Sequence, residues 1–142
     1  MKDFELDKRI LADCHCLGKV HNSWIMLHKD SNVRWFIIVP ETDVSEWHEL
    51  PINIQSQLIE MASLLGAMLK RELPCDKINI AAIGNIVSQF HLHVIGRWKT
   101  DPYWPGVVWG RSSTEAGYTE GEVDDLKKRC LECLGRLYVH RI

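Results

Sequence analysis

Long apolar runs are missing from this sequence: none approaches the roughly 20 residues that a bilayer-spanning helix requires, so no membrane span is expected. Basic tracts are missing too. With a formal net charge of −2 and no Lys/Arg run, the chain has no electrostatic footprint for duplex nucleic acid or an anionic membrane surface. Any phosphate it binds is therefore expected to be held locally. The opening stretch MKDFELDKRILADC lacks the uninterrupted apolar centre of a secretory signal, which with the absent span points to a soluble, cytoplasmic protein. An even set of cysteines is also absent. The count is five, which in such a compartment argues for reduced thiols rather than a disulfide framework. No internal repeat, low-complexity tract or linker interrupts the 142 residues, and 46% hydrophobic with 25% charged residues suits a single domain spanning 1–142.

What is present is a mixture of strand and helix patterns. Leu6, Ile10 and Leu11 fall at helical spacing, which predicts a short helix within 6–17. WIMLH (24–28) and RWFIIVP (34–40) are apolar runs of strand length joined by the polar KDSNV, and they predict an antiparallel hairpin. Pro40 closes its second strand, because proline cannot donate to a ladder. From Asn53 to Arg71, Ile54, Leu58, Met61, Leu65 and Met68 recur at three- or four-residue steps, the stripe of a long helix laid across a sheet. After Pro74, KINIAAI (77–83) reads as a strand, Gly84 and Asn85 as a turn, and SQFHLHVI (88–95) as another strand. DPYWPGVVWG is expected to be structured but irregular. Thr119 and Glu122 match a capping box that opens a final helix, whose apolar face continues through Val123, Leu126, Cys130, Leu134 and Leu137. Closely spaced first strands without a βαβ rhythm predict an α+β fold rather than a doubly wound sheet.

The chemistry concentrates in GNIVSQFHLHVIGR (84–97). Strand alternation puts Gln89, His91 and His93 on one face and Phe90, Leu92 and Val94 on the other, which is free to pack on the long helix. Imidazole, with an unperturbed pKa near ~6.5, is substantially neutral and nucleophilic around physiological pH. In phosphoryl or nucleotidyl transfer a ring nitrogen attacks phosphorus and forms a phosphoramidate that water cleaves, so one displacement becomes two. The attacking nitrogen must be free of its proton, which requires the other ring nitrogen to donate to a fixed acceptor. A backbone carbonyl serves, and a glutamine carries one as well as a histidine does. The Gln89 side chain can donate a hydrogen bond to a phosphate oxygen or a leaving group, but it does not titrate. Gly84 and Asn85 offer a permissive turn and an amide where phosphate can also be met.

The run Gln89-Phe90-His91-Leu92-His93-Val94-Ile95 resembles the histidine-triad (HIT) signature, three histidines alternating with apolar residues, with Gln89 in place of the first. The order of a hairpin ending in IIVP, a long helix, a strand and then the signature strand is similar over about residues 10 to 110. The resemblance is to a bacterial HIT-like branch in which glutamine is usual and in which a D-P-x-W-P…V-W-G segment follows, here Asp101, Pro102, Trp104, Pro105 and Val108-Trp109-Gly110. It implies an antiparallel sheet with a long packed helix and a C-terminal helix, commonly paired as a homodimer, and no cofactor. It further implies a nucleotide hydrolase or nucleotidyl transferase acting on a nucleotide with a substituted α-phosphate, of the dinucleoside polyphosphate or nucleoside phosphoramidate type. Carried over by position, His91 is the nucleophile that becomes nucleotidylated, His93 contacts phosphate or the bridging oxygen, and Gln89 supplies the carbonyl for His91. Asn85, with Gly84, lies at the phosphate-contacting position, and Asp30 at the end of the first strand is a candidate for the ribose hydroxyls. The family often has a further histidine just after the proline that closes the second strand; Glu41, Thr42 and Asp43 stand there instead.

Other readings stay open. A non-catalytic nucleotide-binding or sensor protein preserves the same pocket. Two histidines at i and i+2 can share a metal, with Cys14, His15, Cys16 and His21 as further ligands, although Cys14-x-Cys16 is shorter than the usual zinc spacing. Cys130 and Cys133 suit two small core residues of the last helix as well as a redox or metal pair. His28 and His48 read as surface or partly buried residues, His140 as part of the tail, and Arg97 as a solvated strand-end residue or a phosphate partner. The tryptophans either anchor the irregular segment onto the sheet or, at Trp104 and Trp109, flank a base or a partner subunit.

Overall fold

The structure, a computed structural model, describes residues 2–113 and 115–137, so His140 lies outside the described residues. Five strands form one antiparallel sheet in the order β1-β2-β3-β5-β4: β1 Cys14–Val20, β2 Ser23–His28, β3 Arg34–Pro40, β4 Lys77–Ala81 and β5 Leu92–Arg97. A short helix α1, Lys8–Asp13, precedes β1; the long α2, Ile52–Glu72, joins β3 to β4; and α3, Glu120–Leu134, ends the fold. The α+β class, the hairpin, the long helix and the capped final helix stand as read from the sequence. The capping box is complete, with the Thr119 hydroxyl accepting from the Glu122 N–H at 3.2 Å and the Glu122 carboxylate accepting from the Thr119 N–H at 2.9 Å.

Strand alternation divides the apolar residues between two faces. Leu27, Phe36, Ile38, Phe90, Leu92 and Val94 point to the face covered by α2 and α3, where Leu58, Met61, Leu65 and Met68 are fully buried. This is the larger core, and each such side chain contributes about 1.5–3 kcal/mol by leaving water. Met26, Trp35, Ile37 and Ile95 point the other way, into a smaller cluster completed by Ile10 of α1, Cys14, Tyr103 and Val108. Cys130 and Cys133 belong to the α2/α3 core, where Cys133 Sγ lies 3.2 Å from the Leu64 carbonyl and burial raises both thiol pKa values. They are packing residues.

β4 ends at Ala81 rather than at residue 83, and two further boundaries differ more from the sequence reading. The expected helix within 6–17 stops at Asp13, and Cys14–Val20 is a strand whose period of two is broken by a bulge between Cys16 and Gly18, with Gly18 at φ 141°. The break hides the alternation that reveals a strand. The signature strand is also shifted: pairing with β3 begins at Ile38–Leu92 and runs to Arg34–Gly96, so Gln89, Phe90 and His91 precede the ladder. Their backbone is consequently free to turn, and Gln89 does not share a strand face with the two histidines.

Candidate active site

The two signature histidines meet on the sheet face opposite α2, in a cleft of about 350 Å³. β5 delivers His93, paired across the ladder with Ile37 of β3 and Ala81 of β4, and the residues just before β5 deliver His91. Both are buried, His91 9% and His93 5% exposed, and their rings meet edge to face with centroids 4.8 Å apart. Gly84 and Asn85 line the same cleft, and Gly84 sits at φ 71°, a left-handed conformation that glycine adopts without strain.

Groups that can only donate or only accept fix the ring tautomers. His91 Nδ1 lies 2.7 Å from the Gln89 carbonyl oxygen, so that nitrogen carries the proton and Nε2 keeps its lone pair. His93 shows the opposite arrangement. The Trp35 indole N–H donates to His93 Nδ1 at 2.9 Å, so the proton of the neutral ring resides on Nε2. Burial pushes the His93 pKa down to about 3, and the neighbouring His91 and His28 push in the same direction. His93 is therefore a neutral hydrogen-bond donor around physiological pH.

A third imidazole enters from β2. His28 stacks on Trp35 with centroids 4.0 Å apart and an interplanar angle of 13°, and its Nδ1 accepts from the Asp30 N–H at 3.0 Å. Burial lowers its pKa, with Asp13 and Asp30 pulling the other way. The cleft wall is completed by Arg9, Ile10 and Asp13 of α1, by Cys14 and by Trp109. Trp109 stands edge to face with both Trp35 and His93, at 6.2 and 5.2 Å. Burial raises the Cys14 thiol to about 12, which removes it as a nucleophile. Among the described residues no three His, Cys, Asp or Glu side chains are grouped to hold a metal, and Cys14 is buried while Cys16 is exposed.

Several expected site residues stand elsewhere. Asp30 is 0% exposed and does not line the cleft. Its carboxylate accepts from the Tyr103 hydroxyl (2.6 Å), the Ser113 N–H (3.0 Å) and both the backbone and side-chain nitrogens of Asn32 (3.0 and 2.8 Å). It ties three segments together and is not available to a ribose. Arg97, expected to be solvated or free for phosphate, is 2% exposed and forms a two-bond ion pair with Asp101, 2.8 Å from Nε and 3.0 Å from Nη2. Asp101 also accepts from the Trp98 and Tyr103 N–H groups, so the DPYWP segment is anchored at its first residue. The Gln89 side chain faces away from the cleft, toward the N-terminal arm: its Oε1 accepts from the Asp7 N–H at 2.9 Å and its Nε2 donates to the Glu5 carbonyl at 2.8 Å. His28, which reads from the sequence as a surface or partly buried residue, is buried in the cleft wall; like Trp35, Arg9 and Asp13, it lies 50 or more positions from the signature, and only the sheet register and the arm bring these residues to it.

Residues 11–100 match the sequence profile of the HIT domain. The chain belongs to the histidine-triad (HIT) family. Solved HIT proteins that it resembles include one from Sinorhizobium meliloti, 38% identical over 91% of this chain and 96% of that one with a TM-score of 0.84. Another, from Marinobacter aquaeolei, is 37% identical over 94% and 98% with a TM-score of 0.86. A third, from Bradyrhizobium japonicum, is 32% identical over 92% and 97% with a TM-score of 0.83. No curated protein matches the chain. The five-stranded antiparallel sheet and its helices are thus the HIT fold, and among the described residues no helix is long and apolar enough to cross a membrane.

Proposed function

We propose that this HIT protein is a nucleotide hydrolase or nucleotidyl transferase that works through a covalent nucleotidyl-His91 intermediate. The observation that carries this reading is the opposed pair of tautomers: His91 Nδ1–H held by the Gln89 carbonyl, and His93 Nδ1 occupied by the Trp35 N–H. The first leaves an in-plane lone pair on His91 Nε2 for attack on an α-phosphorus. The P–N bond forms as the bond from phosphorus to its substituent breaks, and the electron pair leaves with the substituent. The ring, now carrying phosphorus on Nε2 and a proton on Nδ1, is cationic, and the Gln89 carbonyl stabilises that charge. Water then attacks phosphorus, the P–N bond breaks and the nucleoside monophosphate is released. His93 Nε2–H donates to a phosphate oxygen, as do the Asn85 amide and the backbone at Gly84, both on the wall of the cleft. The reaction belongs in the cytoplasm, and the working form is a homodimer, for which β4 is an open sheet edge carrying the exposed Ile80.

Intact-protein mass after incubation with dinucleoside polyphosphates and nucleoside phosphoramidates tests this. An adenylyl adduct, or AMP release, that disappears in His91→Ala is the expected result. Tight AMP binding with neither adduct nor product would replace it with a nucleotide-binding role on the same site.

A further inference from the structure

Two features of the cleft bear on what leaves during the first displacement. An amine must pick up a proton as it departs, whereas a phosphate is a stable anion that needs none. The groups beside His91 are poor proton sources. His93 has a single proton, on Nε2, because Trp35 occupies Nδ1. Giving that proton up would leave an imidazolate. His28 is held in the same tautomer by the Asp30 N–H, and Gln89, which stands where the signature has a titratable ring, uses both ends of its amide on Glu5 and Asp7. The fixed charges on the wall of the cleft are one cation, Arg9, and one carboxylate, Asp13. Among the described residues lining it, Arg9 is the one cationic side chain, and it makes no hydrogen bond or ion pair among the described residues.

Arg9 is delivered there by Gln89. The amide of Gln89 clasps the backbone at Glu5 and Asp7. Asp7 in turn caps α1, its Oδ1 accepting the Arg9 N–H at 2.8 Å and its carbonyl accepting the Leu11 N–H at 3.0 Å. Phe4 and Leu6 pack against the smaller core cluster and Ile10 is buried within it, so the arm is seated at both ends. Arg9 also lines a second hollow of about 770 Å³ beside the cleft, whose charged wall residues are Lys2, Lys8 and Arg9 with Asp3, Glu5, Asp7, Glu41 and Asp43. Arg9 is the residue common to the walls of the cleft and of that hollow.

We infer that Arg9, set in place by the Gln89 clasp, is the specificity residue for an anionic leaving group, so that the preferred substrates carry a further phosphate on the α-phosphate, joined by a P–O–P linkage. This rests on the proposed nucleotidyl-transfer reading. His91 Nε2 bonds to the α-phosphorus, the P–O bond to the bridging oxygen breaks, and the electron pair stays on the departing phosphate, whose charge Arg9 offsets. Gln89 acts through the arm and is a positioning residue. An amine leaving group gains nothing from Arg9 and has no proton donor beside it.

The test compares diadenosine triphosphate with adenosine phosphoramidate as substrates of the full chain, and measures ADP against AMP binding in parallel. Wild type is expected to favour the triphosphate in kcat/KM. Arg9→Ala should lower kcat/KM on the triphosphate by on the order of 10- to 100-fold, the loss of one charge-assisted hydrogen bond, and on the phosphoramidate by far less, with Arg9→Lys in between. Gln89→Ala, which releases the arm, should move the ratio in the same direction. A wild type that prefers the phosphoramidate, or an Arg9→Ala variant that loses both activities equally, overturns the inference while leaving the His91 mechanism standing. If no substrate is turned over, the nucleotidyl-transfer reading fails, and the binding arm decides the role of Arg9. A preference for ADP over AMP that Arg9→Ala abolishes upholds it, and equal binding of ADP and AMP by wild type ends it.

Discussion

Replacing Trp35 with phenylalanine separates packing from tautomer control in the cleft. The smaller ring can still stack on His28, but the indole N–H that donates to His93 Nδ1 at 2.9 Å is gone. His93 Nδ1 is then a buried acceptor without a partner, which costs about 1–3 kcal/mol. Trimming the indole adds a cavity term well below the roughly 3–5 kcal/mol of a full Trp→Ala truncation. The sum is a destabilisation of about 2–4 kcal/mol, measurable as a lowered midpoint in urea. The chemical effect is distinct. Without the indole, the His93 proton distributes between Nδ1 and Nε2 and the ring accepts a second proton more easily, so its pKa rises from about 3. A net hydrogen-bond contribution of ~1–2 kcal/mol to the productive tautomer translates into about a 5- to 30-fold loss of kcat/KM. Imidazole nitrogen shifts by NMR read the tautomer directly, and the acidic limb of the activity profile reads the pKa. A variant in which His93 keeps its proton on Nε2 and its pKa stays near 3, whatever its stability, would refute the reasoning.

Stability should decline in two stages on acidification. His93 has a folded pKa of about 3 against an ordinary 6.5, so the unfolded chain takes up a proton first, and the stability present above pH 6.5 is lost as pH falls from there toward 3. His93→Gln should flatten this first stage; a wild type with constant stability across that range contradicts it. Below about 3.8, Asp101 and Asp30 take over. Burial raises both carboxyls, but the hydrogen bonds from Arg97, Tyr103 and Trp98 to the one, and from Tyr103, Ser113 and Asn32 to the other, outweigh it and hold both below the usual range. Their contribution is present above the unfolded value and is lost as pH falls through the folded one, which acid titrations of Asp101→Asn and wild type compare. In β5, a Cβ at Gly96 would lie 2.5 Å from Cys75 Sγ and 3.2 Å from Leu69 Cδ2. Gly96→Ala should therefore cost about 1–3 kcal/mol in urea unfolding, and Cys75→Ala in the same chain should recover part of it; no recovery would place the strain elsewhere.

The sequence made the helices and the hairpin legible because their periodicities are long and uninterrupted, as in the Ile54–Met68 stripe and the Thr119 capping box. β1 was not legible, since its bulge at Gly18 interrupts the alternation and Leu6, Ile10 and Leu11 imitate a helix. The contact between His91 and the Gln89 carbonyl was readable from the signature, because it is local, two residues apart. The Trp35–His93 bond, the His28 stack and the Arg9 wall were not, because they depend on which strands are neighbours and on where the arm is seated. Asp30 and Arg97 misled for a related reason. Each is a polar residue at a strand end, which reads as solvent-facing, but Tyr103, Ser113 and Asp101 arrive from the irregular segment to enclose them.

The carbonyl of residue 89 and the side chain of residue 89 do different jobs. The carbonyl orients the His91 ring, and every amino acid brings one; the amide secures the arm, and few side chains reach both Glu5 and Asp7. Substitution here is therefore uncoupled from the His91 ring, and a protein can exchange the residue and redesign the wall of its pocket without changing how that ring is held. The letter at this position then says less about the histidine beside it than about how the far wall of the cleft is built.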